Sequence, residues 1–284
     1  MFQFKQATKQ QSKLRMTLDG PAGSGKTFTA LRFGHFLARG GKIAVIDTER
    51  GSASKYVGES PDGQPWAFDV AELTTFAPSN YVEVINAAGL AGYAVLIIDS
   101  MSHAWEGKGG ALEMRDKASA EQRTKNDFTA WRAVTPEHNR LVDAILQSSM
   151  HVICTMRSRI EYVLEEDDKG KKTPRKVGMA PIQRPGMEYE FDLVADIDID
   201  HNVRISKSRC SAMADATANR PGPSFISPLV AWLESGSADA LKEVERQREL
   251  KVQAKTLRDA GQPPRAISET LGVSITDVLA WTVA

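Results

Sequence analysis

A run of eight residues near the start of the chain has the types and spacing of a phosphate-binding loop. The run fits the pattern G-x-x-x-x-G-K-S/T and lies between an apolar stretch and a helix-length stretch. Its glycines allow the backbone to wrap around phosphates, and its lysine and threonine would contact the phosphates and Mg²⁺. Together with the next residue, the loop predicts a site for ATP with magnesium, formed by Gly20, Pro21, Ala22, Gly23, Ser24, Gly25, Lys26, Thr27 and Phe28.

An acidic residue, Asp99, directly follows the apolar run Val95–Ile98. Ligands of open α/β sheets bind beyond the carboxyl ends of the strands, so this carboxylate is expected beside the phosphate-binding loop. We therefore predict that Asp99 and Thr27 hold the magnesium ion, Asp99 through water. The alternative is that Asp99 caps the helix that follows.

A second acidic residue, Glu49, comes shortly after the apolar run Ile43–Ile46 and belongs to the same predicted edge. Residue 100 is a serine where many motor ATPases carry a glutamate, so the carboxylate that orients the attacking water must come from elsewhere. Glu49 is the candidate for this role. The alternative is that Glu49 pairs with Arg50 or caps a helix.

Short apolar runs alternate with amphipathic helix-length stretches, a pattern that predicts an α/β fold with a parallel sheet between helices. Two helices are predicted, one over Thr27–Arg39 and one over Asp127–Ser148 that is interrupted near Pro136. The predicted strands are Leu14–Leu18, Ile43–Ile46, Trp66–Val70, Val95–Ile98 and Val152–Thr155.

The pattern changes beyond residue 157. A β-hairpin is predicted with strands Tyr162–Glu166 and Lys172–Val177 around a polar turn, and a second antiparallel pair with strands Leu193–Asp200 and Val203–Ser206. A stretch rich in Pro, Gly and Ser, Asn219–Pro228, is predicted to separate the core from the tail. The predicted domains are therefore a core over residues 1–228 and a small helical module over residues 229–284.

The tail predicts three helices, over Ala238–Ala260, over Pro263–Leu271 and from Ser274 onward. Its last part resembles a helix-turn-helix, yet residues 274–284 contain no Lys or Arg. Reading of duplex DNA needs side chains that reach bases and phosphates, so a cap or a protein-docking module is favoured. Trp281 is predicted to belong to its small core.

Composition excludes few classes of function. Among 284 residues, 36 basic residues balance 36 acidic ones, so any affinity for nucleic acid must come from local patches. Two distant cysteines, Cys154 and Cys210, are expected to be reduced thiols. No apolar run is long enough for a membrane span, and a cytoplasmic protein is expected.

The motifs of residues 13–210 resemble those of the RecA-like recombinases, in particular phage RecA-like ATPases associated with single-strand annealing. The family's I-D-x-E pattern matches Ile46–Glu49, and its Asp-Ser pair matches Asp99 and Ser100. Its paired cations, which reach the γ-phosphate of a neighbouring subunit, match Lys207 and Arg209. The resemblance implies a RecA-like P-loop core, catalysis by Glu49, Lys26, Lys207 and Arg209, self-association into a ring or filament, and binding of single-stranded DNA.

One departure from the family concerns the γ-phosphate sensor. Where bacterial RecA has an Asn-Gln pair after a core strand, this chain has Thr155, Met156 and Arg157, and either Thr155 or Arg157 is the candidate sensor. The family's two DNA-binding loops correspond to 169–176 and 105–110. Residues 157–184 hold eight basic and five acidic residues, a modest excess that suits phosphate contacts.

The leading hypothesis is an oligomeric RecA-like ATPase that acts on single-stranded DNA in recombination, repair or annealing. The alternative is a nucleotide-dependent switch or adaptor whose tail docks a partner protein and whose turnover ignores DNA. A small-molecule kinase is disfavoured because no compact Arg-rich lid segment follows the core.

Overall fold

A computed structural model describes residues 12–121, 127–166, 172–235 and 238–282. The chain divides into two compact units, one over residues 13–230 and a second that contains the residues from Ala231 onward. Among the helices that the structure describes, none combines the length and the apolar character that a membrane crossing needs.

The described residues form one sheet of nine strands, in the order β3-β2-β4-β5-β1-β7-β8-β9, with β6 paired to β5. The strands from β3 to β7 in this order are parallel, and the pairs β5–β6, β7–β8 and β8–β9 are antiparallel. The bounds are Arg15–Gly20 (β1), Ile43–Asp47 (β2), Asp69–Glu72 (β3), Val95–Asp99 (β4), His151–Glu166 (β5), Lys172–Pro181 (β6), Leu193–Ile197 (β7), Asn202–Ser208 (β8) and Thr217–Asn219 (β9).

Helices cover the parallel part of this sheet on both faces. Leu96 and Ile98 of β4 belong to a buried cluster with residues of α2 and α5, whereas Ile97 lies against Gly34 of α1. The predicted α/β fold class is thereby confirmed. The helices are Lys26–Ala38 (α1), Pro78–Leu90 (α2), Ser102–Glu106 (α3), Ala111–Ala120 (α4), Asp127–Gln147 (α5), Pro223–Glu234 (α6), Ala238–Asp259 (α7), Pro264–Leu271 (α8) and Ile275–Thr282 (α9).

Strand β5 differs from its prediction because it is one strand of 16 residues and not two separate elements. Residues 152–154 pair with both β1 and β4, residues 155–157 pair with β1, and residues 158–166 continue as a two-stranded ribbon with β6. The predicted hairpin is therefore present, while its polar turn at 167–171 lies outside the described residues. The core strand thus runs directly into the hairpin.

Two prolines lie inside helices, although Pro136 was predicted to interrupt a helix and Pro228 to belong to a linker. Helix α5 continues through Pro136, and α6 contains Pro228 and occupies most of the predicted linker. Both prolines are on exposed sides, where water can satisfy the carbonyl that loses its N–H partner. At Pro228 the freed carbonyl of Ser224 also accepts a hydrogen bond from the Ser227 hydroxyl, at 3.2 Å.

Trp66, predicted to begin a strand, precedes β3 and is 2% exposed. Its ring lies 4.9 Å from that of Phe28, centroid to centroid. Trp66 therefore packs against Phe28 of α1 and does not belong to the sheet.

The tail forms its own small core from α7, α8 and α9. Ala254, Ile267 and Val278 are fully buried, and Trp281 packs against them as predicted. The backbone N–H of Asp277 donates to the Ser274 hydroxyl at 3.1 Å, which caps α9.

Candidate active site

The predicted phosphate-binding loop connects β1 to α1 at the carboxyl edge of the sheet. Gly23 and Gly25 have φ angles of 79° and 90°, which side-chain-bearing residues rarely adopt. A Cβ at Gly20 would lie 2.4 Å from the carbonyl oxygen of Ile197, so the loop is pressed against the end of β7. Helix α1 begins at Lys26 without a side-chain cap, and this leaves its first N–H groups available to an anion.

The Lys26 ammonium folds back over the loop. Its Nζ donates to the carbonyls of Gly20 and Pro21 at 2.9 and 2.8 Å. Burial lowers the pKa of Lys26, and the carboxylates of Asp99 and Glu49 raise it in opposition. The cation is therefore held at the site and faces both predicted carboxylates.

The Ser24 hydroxyl gives a test of whether the loop suits phosphates. This side chain is 0% exposed, and its oxygen has no hydrogen-bond partner within the described ranges. A buried hydroxyl without a partner is costly, and a phosphate oxygen would satisfy it. The loop residues therefore fit a polyphosphate.

Thr27 and Asp99 meet as the sequence predicts. The Thr27 hydroxyl donates to Asp99 Oδ2 at 2.6 Å, and the Thr155 hydroxyl donates to Asp99 Oδ1 at 2.5 Å. Burial raises the pKa of Asp99, whereas these two hydrogen bonds lower it. Hydroxyl and carboxylate oxygens are ligands that Mg²⁺ prefers, so Thr27 and Asp99 fit the predicted metal site.

Glu49 lies at the same edge and pairs with Arg157. The Nε and Nη2 atoms of Arg157 donate to Glu49 Oε1 at 3.1 and 2.9 Å. Glu49 thus pairs with an arginine of β5, whereas the alternative prediction was a pair with Arg50. The loop that carries Glu49 is fixed by Asp47, whose carboxylate accepts hydrogen bonds from the N–H groups of Glu49 and Ala53 at 2.6 and 3.0 Å.

A cavity of about 360 Å³ opens beside the phosphate-binding loop. Its walls include the rings of Phe28 and Tyr56, whose centroids are 6.0 Å apart, and Arg32, which pairs with Asp62. This volume and the mixture of aromatic and polar groups suit a nucleoside. The lining comprises Gly23, Ser24, Gly25, Phe28, Thr29, Arg32, Tyr56, His201, Arg220 and Pro221.

Comparison with known families agrees with this geometry. A family model described as an AAA domain matches residues 12–221, most of the chain. The chain belongs to the AAA domain family. A search of curated proteins finds no match. Membership identifies the chain as a nucleotide-binding ATPase of the P-loop type, for which magnesium is the typical companion of the nucleotide.

The two remaining predicted catalytic residues of this AAA domain lie elsewhere. Because β8 is antiparallel to β7, Lys207 pairs with Val194 near the beginning of β7, at the edge opposite the phosphate-binding loop. Its Nζ donates to three backbone carbonyls, and Arg209 pairs with Asp192 at 2.8 Å. The structure therefore does not bring these cations to the protomer's own site, and their action on a neighbouring subunit stays a prediction.

Sequence reasoning missed a hydrogen-bond network that joins the ends of β2 and β4 in the AAA domain. The N–H of Ser100 donates to the Thr48 hydroxyl at 2.8 Å, and this hydroxyl also contacts His103 Nδ1 at 2.6 Å. The His103 ring stacks on Phe76 with 4.8 Å between centroids. This network keeps the segment before Glu49 against the end of the strand that carries Asp99.

His201 was also missed, because its role depends on a turn. The φ angle of His201 is 64°, and its Nδ1 lies 2.9 Å from the carbonyl oxygen of Ser24. The β7–β8 turn thus places an imidazole on the loop, and residue type and spacing contain no signal for such a contact.

Proposed function

We propose that this AAA domain is a RecA-like, magnesium-dependent ATPase that assembles into a ring or filament and acts on single-stranded DNA in recombination, repair or annealing, as a phage-encoded protein. The observation that carries the proposal is the course of β5. The strand contacts Asp99 through Thr155 and Glu49 through Arg157, and then continues as the outer hairpin with β6. One continuous element therefore connects the nucleotide site to a basic segment.

In the hydrolysis step, Lys26 and the loop N–H groups hold the phosphates while Glu49 accepts a hydrogen bond from the attacking water and orients it. Bound magnesium would offset negative charge on the phosphates. Thr27 and Asp99 are the residues that would hold the ion. The rate gain comes from positioning and from charge stabilisation, since phosphoryl transfer requires little covalent chemistry from the protein.

The γ-phosphate sensor in this proposal is Arg157 and not Thr155. Thr155 is 0% exposed and its hydroxyl is engaged with Asp99, whereas the Arg157 side chain is 43% exposed. A guanidinium at this place can move from the carboxylate of Glu49 to a phosphate oxygen, which it binds in the same geometry. Such a move frees Glu49 for water and shifts β5 at the base of the hairpin.

DNA contact is supported by the charge of the hairpin segment. Residues 169–176 include Lys169, Lys171, Lys172, Arg175 and Lys176. Lysine and arginine contacts to phosphates give binding that depends on salt and is independent of base sequence. The balanced charge of the whole chain makes such a local segment the expected source of affinity.

The deciding experiment measures ATP hydrolysis by the wild type and by Glu49→Gln, with single-stranded DNA, with duplex DNA and without DNA, across a salt series. We expect single-stranded DNA to raise the wild-type rate, salt to weaken this effect, and Glu49→Gln to bind ATP without turnover. A rate that ignores DNA under every condition contradicts the proposed action on DNA while leaving the ATPase in place.

A second candidate function is a nucleotide-dependent switch or adaptor. It is favoured by apolar side chains on the surface of the tail: Val252 is 60% exposed, and Ile275 and Leu279 are each 45% exposed. Such side chains suit contact with a partner protein. A biological output that survives Glu49→Gln and is lost in Lys26→Ala distinguishes this function from a turnover-dependent one.

A further inference from the structure

A second cavity, of about 320 Å³, lies away from the phosphate-binding loop. Two of its walls are the indole rings of Trp105 on α3 and Trp131 on α5, which stack with 5.4 Å between centroids and 16° between planes. Both side chains are only partly buried. The cavity therefore offers flat aromatic surface at the protein exterior.

Cationic groups accompany these rings. The guanidinium of Arg115 lies 5.7 Å from the centroid of the Trp131 ring, and Arg159 is an exposed member of the lining. Arg115 is paired with Asp116 at the surface, and Glu106 is the acidic residue among the lining side chains. The lining thus holds two guanidinium groups and one carboxylate, and Asp116, outside the lining, balances the charge of Arg115.

The cavity is also linked to the candidate active site. Gln183 of its lining is 6% exposed, and its Nε2 donates at 3.1 Å to the carbonyl of Met101, two residues beyond Asp99. Its Oε1 lies 3.2 Å from His138, whose ring meets that of Trp105 edge to face at 5.7 Å. Direct contacts therefore connect the end of β4 to the aromatic wall.

We propose that this cavity binds one unpaired base of a single-stranded nucleic acid, with the base against the Trp105–Trp131 surface and the adjacent phosphate on Arg159. The inference rests on the proposed action on single-stranded DNA and adds its binding residues. Stacking on aromatic rings beside arginine is how proteins hold unpaired bases without reading their sequence. The position of the cavity also favours a single-stranded nucleic acid, because Arg159 follows Arg157 by two residues on β5.

The test compares a fluorescently labelled oligothymidine with an abasic oligonucleotide of equal length, by fluorescence polarisation of the full-length protein with a non-hydrolysable ATP analogue. The two probes share their phosphates and differ in their bases. We expect the wild type to bind oligothymidine about 5- to 50-fold more tightly than the abasic probe. Trp131→Leu should remove this preference, and Trp131→Phe, which keeps a ring, should restore part of it.

The arginine contact is tested separately, because removal of a partly buried indole can disturb folding. Arg159→Ala should weaken binding of both probes by a similar factor and reduce the dependence of binding on salt. Arg140→Ala is the matched control, since Arg140 is an exposed arginine of α5 outside the cavity lining. This control should bind both probes as the wild type does.

The outcomes separate the inference from the proposed function. If oligothymidine binds the wild type and stimulates its turnover, yet Trp131→Leu and Arg159→Ala bind as the wild type does, the cavity is not the base site and the proposed function stands. A wild type that binds both probes equally also overturns base stacking. A wild type that binds neither probe overturns the action on DNA and, with it, the inference.

Discussion

Both donors of Arg157 that contact Glu49 converge on one carboxylate oxygen, Oε1, at 2.9 and 3.1 Å. Arg157 therefore holds Oε1, and the second carboxylate oxygen of Glu49, Oε2, is not the atom that it contacts. The pair joins the middle of β5 to the loop after β2 across the intervening strand β4. In the proposed ATPase, this ion pair keeps the catalytic carboxylate engaged until a γ-phosphate competes for the arginine.

Arg157→Ala should lower kcat by about 10²- to 10³-fold while the affinity for ATP changes little, because the arginine contributes to charge stabilisation in the transition state. Stability should change by no more than about 1 kcal/mol, since the ion pair is partly exposed. Steady-state kinetics, an ATP titration and thermal unfolding measure these three quantities. Arg140→Ala, which removes another exposed ion pair, serves as the control. An unchanged kcat would exclude Arg157 as the sensor.

Thr155→Val should raise the magnesium concentration required for half-maximal turnover by about tenfold, because Asp99 loses a hydrogen-bond donor to its carboxylate. Burial already raises the pKa of Asp99, so loss of a bond that lowers it strengthens competition by protons. The defect should therefore be larger at pH 6 than at pH 8 in a magnesium titration of ATP hydrolysis. Thr155→Ser should restore the wild-type requirement. A defect in Thr155→Val that is equal at both pH values contradicts this account.

Asp19 should make the nucleotide-free protein less stable as the pH rises. Burial raises the pKa of Asp19 to about 7 from 3.8, with opposition from the Thr17 hydroxyl at 2.9 Å. A carboxyl whose pKa is raised by folding contributes stability that is complete below the unfolded pKa and is lost as the pH rises through the folded pKa. The free energy of unfolding should thus fall by about 3 kcal/mol between pH 4 and pH 7 from this group.

Urea unfolding at several pH values measures this slope, and Asp19→Asn should remove most of it. Asp143→Asn changes an exposed acid of α5 and should leave the slope as it is. An Asp19→Asn variant with the wild-type slope would show that another group titrates.

Gly20→Ala should abolish ATP binding and lower stability by about 1–3 kcal/mol, because the new methyl would lie 2.4 Å from the carbonyl oxygen of Ile197. Equilibrium binding and thermal unfolding measure both effects. Gly89→Ala is the control, since the nearest atom to its methyl would be Ser149 Oγ at 3.8 Å. In helix α2 this change should be neutral or stabilise by up to about 1 kcal/mol. Normal ATP binding by Gly20→Ala would contradict the close packing of the phosphate-binding loop against the end of β7.

Arg209 is the better candidate for action on a neighbouring subunit, because its side chain is 54% exposed whereas Lys207 caps three carbonyls. We expect Arg209→Ala and Glu49→Gln each to be inactive alone and to recover part of the activity when mixed. A mixed assembly contains sites with an intact Glu49 beside a subunit with an intact Arg209. Hydrolysis by mixtures of varied ratio measures this recovery, and its absence in a formed oligomer argues against a shared site.

The meeting of Thr27 with Asp99 was predictable from sequence. Asp99 ends one short apolar run, and the loop that leads to Thr27 follows another; parallel strands place these ends at a common edge. The same argument placed Glu49 there. It could not name Arg157 as the partner, because that pairing depends on the order of strands in the sheet, which the spacing of residues along the chain does not contain.

Pro136 and Pro228 show a different limit. Pro136 was expected to interrupt a helix and Pro228 to lie in a linker, whereas the actual cost of a proline in a helix depends on whether the freed carbonyl faces water or another donor. Both prolines are exposed, and Ser227 supplies a donor near the second. Burial decides the outcome at such positions, and burial follows from the tertiary structure.

The uninterrupted length of β5 has a mechanical consequence. Nine residues, 158–166, continue past the parallel sheet and pair with β6 alone, which makes an arm of about 30 Å. A rotation of about 5° at Arg157 would then displace the far end by about 2.5 Å, as a lever of this length dictates. A small rotation at Arg157 would thus become a displacement of ångström size at the far end of the described β5–β6 pairing.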